Sequence, residues 1–419
     1  MRRYLTSAIE QALSSLLNLG VNLVLIRLTA PEQYGAFALW ANTAFVISGL
    51  QAALTLIHLQ VAEQGDGLSE PRLSLERLMH RITQLFLLAS GVGVLAAAVI
   101  LHLRGNPVGA PAAALFVPAF LAQQYVRALL FARGLPTQAT FQTGAVLALA
   151  AMLLTGGEML FAPMSANMIL TLMGLAYGVV AAAGYWRATR GPGGMAWSGI
   201  GGFASYAKQS GWVFLGVTTT ELMARFYAFA VIAAHGPAAL AALAATQLLL
   251  RPIPLLAASW SMVARNDLVR RREAGDWRGF GLLIALTLAG GVMVAAAWTA
   301  LVHFGWRPLS TVLFHGKYAD DGWMVLLWGL SAFINFCQIA IGIGLQVLKA
   351  FKVLALANAA ASLVAVAAIL VAMHAYGPGG AILGTVIGQG IELLVMAALL
   401  VGGMRAASRL PTTPQTAAA

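Results

Sequence analysis

The stretch VLALANAAASLVAVAAILVAM, residues 353 to 373, runs for 21 residues without a charge. A hydrocarbon core of about 30 Å needs roughly 20 apolar residues of helix to cross it, so this stretch reads as a membrane span. Eleven more of the same kind surround it. The twelve expected spans are 5–27, 36–59, 82–101, 112–132, 138–156, 163–186, 209–233, 237–262, 279–304, 322–348, 353–373 and 379–403. The runs are continuous rather than alternating, and only a helix lets a single lipid-exposed segment satisfy its own backbone. The chain is 60% hydrophobic and 9% charged, a composition that excludes an ordinary soluble domain. The expected fold class is therefore an all-α polytopic membrane protein, with twelve transmembrane helices in two six-helix lobes around a central cavity.

The even number of spans puts both termini on one side, and that side carries 19 of the 25 Lys and Arg residues, counting Arg127 at the near end of span four. Arg27, Arg104, Arg307 and Lys317 fall on the other side, and Arg225 and Arg251 fall inside spans. Basic loops mark the cytoplasmic face, so the expectation is a cytoplasmic (inner) membrane protein with both termini in the cytoplasm. The net charge of +11 is dispersed over many flanking segments. It reads as topology determinants and contacts with anionic membrane lipids, not as a nucleic-acid surface. The single Cys337 excludes an intramolecular disulfide. A cleaved leader is not expected from the first run, which is long for one and contains Glu10, Asn18 and Asn22.

The Gly-Pro-Gly-Gly run at 191–194 lies in the polar gap between spans six and seven. It suggests an N-terminal lobe at 1–186, a cytoplasmic linker at 187–208, a C-terminal lobe at 209–404 and a disordered cytoplasmic tail at 405–419. Six helices per lobe would make the halves a parallel repeat. Span one ends IRLTAP at 26–31 and span seven ends IAAHGP at 232–237, which share only the first and last residues.

Ionisable groups inside spans are costly and face a bundle interior or a watery cavity. Glu10, Glu221, Arg225, Arg251 and Glu392 stand out on this ground. Glu221 and Arg225 are four residues apart on one helix face with Thr218. Two readings stand: an ion pair that makes insertion tolerable, or an Arg225 that meets phosphate while Glu221 holds it or exchanges a proton. Arg251 is followed by Pro252 and Pro254, which remove backbone donors and should break the helix. Broken helices carrying charge are a common way to build a transport site. The other reading of Arg251 is snorkelling, or pairing with an acid such as Glu392.

Thr6, Glu10, Ser14 and Asn18 make a polar face on span one, and Ser331, Asn335 and Gln338 make one on span ten. Both read as cavity linings, or as interhelical glue. Gln123, Gln124 and Arg127 lie toward the cytoplasmic end of span four, where Arg127 either meets substrate or snorkels. The substrate-binding candidates are thus Arg225, Arg251, Glu221, Arg127, Asn18, Gln124, Asn335 and Gln338, and the coupling candidates are Glu10, Glu221 and Glu392. Gly174 with Gly178, and the series Gly380, Gly384 and Gly388, read as close helix packing. No phosphate-binding loop of the ATPase type occurs, so an ion gradient (proton or sodium), the membrane potential or substrate removal would supply the energy; no cofactor and no metal site is expected.

The loop Arg27-Leu28-Thr29-Ala30-Pro31-Glu32-Gln33-Tyr34-Gly35 resembles the corresponding loop of bacterial polysaccharide (O-antigen type) flippases. These belong to the multidrug/oligosaccharidyl-lipid/polysaccharide exporter superfamily. Leu313 to Tyr318, Asn358, and Tyr376 to Ala381 are similar to further elements of that family. The resemblance implies transfer of undecaprenyl-pyrophosphate-linked oligosaccharide from the inner to the outer leaflet. It also implies a lipid-linked oligosaccharide as partner, beside a polysaccharide polymerase and a chain-length regulator. Two other classes remain. One is an ion-coupled antiporter of drugs or metabolites on the same architecture. The other is a membrane-embedded glycosyltransferase or polymerase, for which the Asp320-Asp321 pair is the one feature. That pair reads more simply as a helix start.

Overall fold

The computed structural model describes residues 2–61, 70–189 and 200–408, and among these every regular element is helical. The first half holds α1 (Arg2–Leu28), α2 (Pro31–Gln51), α3 (Ile57–Val61), α4 (Glu70–Leu103), α5 (Ala113–Ala132), α6 (Pro136–Phe161) and α7 (Ala166–Thr189). The second holds α8 (Ala204–Leu248), α9 (Pro252–Glu273), α10 (Trp277–Phe304), α11 (Trp306–Phe314), α12 (Met324–Val347), α13 (Phe351–Tyr376) and α14 (Pro378–Ser408). A π-helical turn at Ala52–Leu56 joins α2 to α3, a device that sequence periodicity did not announce. Short 3-10 turns precede α8 and α12.

Among the described residues, eleven helices are long and apolar enough to cross a membrane. One of them holds the seventh expected span together with the first part of the eighth. Inside α8, Gly236 adopts φ 81°, ψ 179°, a conformation essentially confined to glycine, and Pro237 follows without a backbone donor. The helix direction is reset there, at the start of the expected eighth span. Counting α8 as two gives the expected twelve, with α9 completing the eighth beyond its break. The Gly-Pro-Gly-Gly run and residues 409–419 of the expected tail lie outside the described residues.

The chain forms two compact units. Unit 1 comprises Met1–Glu221 and Val231–Ala244, and unit 2 comprises Leu222–Ala230 and Ala245–Ala419. Unit 1 has a core where Leu56, Leu59, Met79, Tyr125, Leu129 and Ala139 meet, drawn from five elements. Unit 2 has its own, around Leu268, Phe280, Ile284, Ile341 and Leu345.

Helices in lipid gain nothing from apolar burial alone, so close backbone approach has to supply packing energy. The glycines do this as expected. A Cβ on Gly380, Gly384 or Gly388 of α14 would run into Ala372, Ile369 or Ala365 of α13, and one on Gly174 of α7 would meet Phe116 of α5. Gly35, the last residue of the loop motif, lies against the Pro237 backbone with no room for a Cβ. The Tyr34 hydroxyl beside it donates to Asn22 Oδ1 at 2.8 Å, tying the start of α2 to α1.

Candidate functional site

In unit 1 the polar centre is built on Glu10. Its carboxylate is almost wholly buried, with 2% of the side chain exposed. It receives Arg127 Nε at 2.6 Å on Oε1 and Arg127 Nη2 at 2.8 Å on Oε2. The Thr143 hydroxyl donates to Oε1 at 2.9 Å, so α1, α5 and α6 are joined at one point. A bidentate guanidinium–carboxylate pair is the strongest polar contact available to side chains. Gln124, one turn before Arg127, accepts from Nη1 at 3.4 Å, and Phe131 lies 5.8 Å below the guanidinium. The structure thus brings together Glu10, Gln124 and Arg127, and adds Thr143, which the sequence reading passed over. Asn18 stands apart from this centre, accepting from the Asn22 amide through both its Oδ1 and its backbone carbonyl.

A second ionic network in unit 1 was also not foreseen. Glu76 of α4, 3% exposed by side chain, accepts from Arg133 Nη2 at 2.7 Å and lies 3.7 Å from Arg72. Arg133 also donates to the Ala188 carbonyl at 2.9 Å. One turn along α4, His80 hydrogen-bonds to the Tyr125 hydroxyl and its ring meets that of Tyr185. Arg72 and Arg133 read as loop charges setting orientation. In the folded chain they clamp α4, α5 and α7 together. The signal available was the spacing of Arg72, Glu76 and His80, which puts all three on one helix face.

In unit 2 the polar centre is Glu392 of α14. Gln338 Nε2 donates to Oε2 at 2.6 Å and to the Gln389 carbonyl at 3.1 Å. With its amide oriented to satisfy its neighbours, Asn358 of α13 donates to Oε1 at 2.6 Å. The Ser331 hydroxyl adds a bond to Gln389 at 2.8 Å. Asn335 is half-buried on α12, one turn from Ser331.

Arg251 stands at the break between α8 and α9. The two prolines leave nearby carbonyls without their helical donors, and in a membrane each must find a substitute. The Arg251 amide turns to Leu248 O at 3.4 Å, and the Ile253 amide to Leu250 O at 3.1 Å. Leu249 O receives the Trp298 indole of α10 at 2.8 Å. The break expected at Arg251 is therefore a finished piece of structure. The charges of Arg225 and Arg251 both act on the buried Tyr227 hydroxyl, which donates to Gln247 Oε1 at 3.2 Å. Glu221 ends the stretch of α8 that belongs to unit 1, its side-chain stem against Gly49 of α2. Asp320 and Asp321 lie in the first turn of the 3-10 segment Ala319–Trp323. Among the described residues no three His, Cys, Asp or Glu side chains converge as a metal site would need.

No family model and no curated protein matches this chain. Solved structures do. An inward-facing multidrug resistance MATE family transporter of the MOP superfamily aligns over 97% of this chain and 99% of its own, at 12% identity and a TM-score of 0.72. The lipid II flippase MurJ, in an inward closed conformation, aligns over 96% of this chain and 89% of its own, at 13% identity and a TM-score of 0.72. The eukaryotic MATE transporter AtDTX14 aligns over 97% and 98%, at 14% identity and a TM-score of 0.62. At such identities the likeness is one of fold, and the fold is that of MATE transporters and MurJ.

Proposed function

We propose that this chain is a transporter that moves undecaprenyl-pyrophosphate-linked oligosaccharide from the inner to the outer leaflet of the cytoplasmic membrane, for cell-surface polysaccharide of the O-antigen type. Transport proceeds by alternating access of two six-helix lobes, 1–186 and 209–404 in the sequence division. The observation that carries this reading is Arg251 at a built helix break, with Arg225 also acting on Tyr227. Two guanidiniums inside spans suit a doubly charged pyrophosphate, which arginine grips in bidentate fashion. Arg127 adds a third, in the first unit. The asparagine, glutamine and serine side chains of α1, α5 and α12 offer hydroxyl-compatible surface to sugars. Glu10, Glu221 and Glu392 serve as coupling groups, and the motif resemblance favours the same substrate class.

The antiporter of drugs or metabolites is the second reading, since the MATE transporter and the flippase match this fold with equal TM-scores. Its support in the residues is the pair of buried acids, Glu10 and Glu392.

The test is the lipid-linked glycan pool of cells depleted of the protein, resolved by mass, with leaflet location read by an impermeant periodate or lectin probe. A complete glycan accumulating in the inner leaflet supports flipping. An unchanged pool supports the antiporter, and a truncated glycan supports a membrane-embedded enzyme.

A further inference from the structure

We infer that Arg127 is an oxyanion receptor held in reserve by Glu10, and that a phosphate group which displaces Glu10 from it drives uptake of a proton by Glu10. The inference rests on the reading of the substrate as a pyrophosphate lipid and adds how the first unit receives it.

The geometry of the guanidinium leads to this. Arginine has five N–H donors in a planar fork. Glu10 takes two and Gln124 a third. The remaining two, one on each Nη, have no protein acceptor among the described residues. The Arg127 side chain is 24% exposed while that of Glu10 is 2% exposed. An anion therefore reaches the open edge of Arg127 without first moving Glu10. A pyrophosphate then competes for the inner edge as well, because it carries more negative charge than a carboxylate and matches the fork equally well.

The consequence falls on Glu10. Once Arg127 turns to the phosphate, Glu10 remains buried with a single neutral partner, the Thr143 hydroxyl. A buried carboxylate without a counter-charge is strongly unfavourable, and taking one proton from water removes that charge. The carboxylate is met by Arg127 from α5 and by Thr143 from α6. Among the described residues no other ionisable side chain bonds to it, so no second cation takes over the role of Arg127. The phosphate at Arg127 and the proton at Glu10 bind cooperatively, and the coupling is reciprocal by linkage. Because the bound state carries more protons, affinity for the anion rises as pH falls. While Glu10 is ionised and paired, only the small fraction of protein with Arg127 released is fully competent. Apparent affinity is lowered by that fraction.

The experiment uses the full-length protein in lipid nanodiscs with farnesyl pyrophosphate as probe, by calorimetry in two buffers of different ionisation enthalpy. Wild type should take up protons on binding and bind more tightly at lower pH. Glu10→Gln should bind about tenfold more tightly at high pH, with the competition removed, and should lose the extra proton uptake. Protonation of the probe itself is common to both proteins and cancels in the comparison. Arg127→Gln should bind at least about tenfold more weakly. If Glu10→Gln fails to fold, the wild-type proton count still decides: binding without extra uptake relative to the free probe overturns the inference. Unchanged affinity and proton count in Glu10→Gln overturn it too, and leave the flippase reading standing. Wild type that ignores the pyrophosphate but binds tetraphenylphosphonium overturns the flippase reading itself. Binding of neither probe overturns the inference.

Discussion

The Trp298 indole nitrogen donates at 2.8 Å to the carbonyl of Leu249, which lies at the α8–α9 break. A broken helix in a membrane persists only when such groups are met from outside. Trp298→Phe keeps an aromatic ring and removes the donor. It should cost about 1–3 kcal/mol, the penalty for stranding a polar group. Thermal unfolding in detergent reads this, and an unchanged midpoint would show that the break is held by other means.

Gly35 belongs to the loop motif between the first two spans, and its neighbour is the backbone of Pro237 within the same unit. Gly35→Ala should destabilise the unit by about 1–3 kcal/mol, as overpacking does, because backbone yields less readily than a side chain. Gly20→Ala on α1 is the control. Nothing lies within 4 Å of that position, and alanine is the better helix former by up to about 1 kcal/mol. Melting of the two variants by size-exclusion survival should move in opposite directions.

Glu76 is held by Arg133 at 2.7 Å while 3% exposed by side chain. Removing one partner of a buried pair leaves a charge uncompensated, at about 3–5 kcal/mol. Glu76→Ala should therefore lower the yield of folded protein far more than a typical loop substitution. Adding Arg133→Met to Glu76→Ala should recover part of the loss, and a double-mutant cycle on melting temperatures measures how much. Additive losses would mean that the two residues act separately.

The spans were legible because hydrocarbon thickness translates directly into run length, and the helix break was legible because Pro252 and Pro254 have one effect wherever they stand. The networks were not. Glu76 precedes the apolar run of its span, so hydropathy treats it as loop, and only the fold brings Arg133 to it from fifty-seven positions away. Thr143 is an unremarkable helix threonine until α6 packs against α1. Glu10 and Arg127 were each picked out for their charge, but a pair separated by 117 positions leaves no spacing signal. The π-helical turn at Ala52–Leu56 lies in an apolar run with the same composition as any α-helix.

Arg251 and Arg225 carry the functional reading, so their replacement is the sharpest test of it. The α8–α9 break owes its shape to two prolines, and its carbonyls are met by the Trp298 indole and local amides. Arg251→Gln should therefore leave membrane levels of the protein near wild type. Hydrogen bonds to charged groups are worth about 1.5–3 kcal/mol, so losing one to phosphate should slow transport by about ten- to a hundredfold. Arg225→Gln should behave in the same way if it meets substrate. If instead it only neutralises Glu221, the unpaired acid should cost folded protein, and the additional change Glu221→Gln should restore it. Transport assayed by surface glycan, set against protein level by immunoblot, separates these cases, and wild-type transport by both arginine variants would remove the two residues from the site.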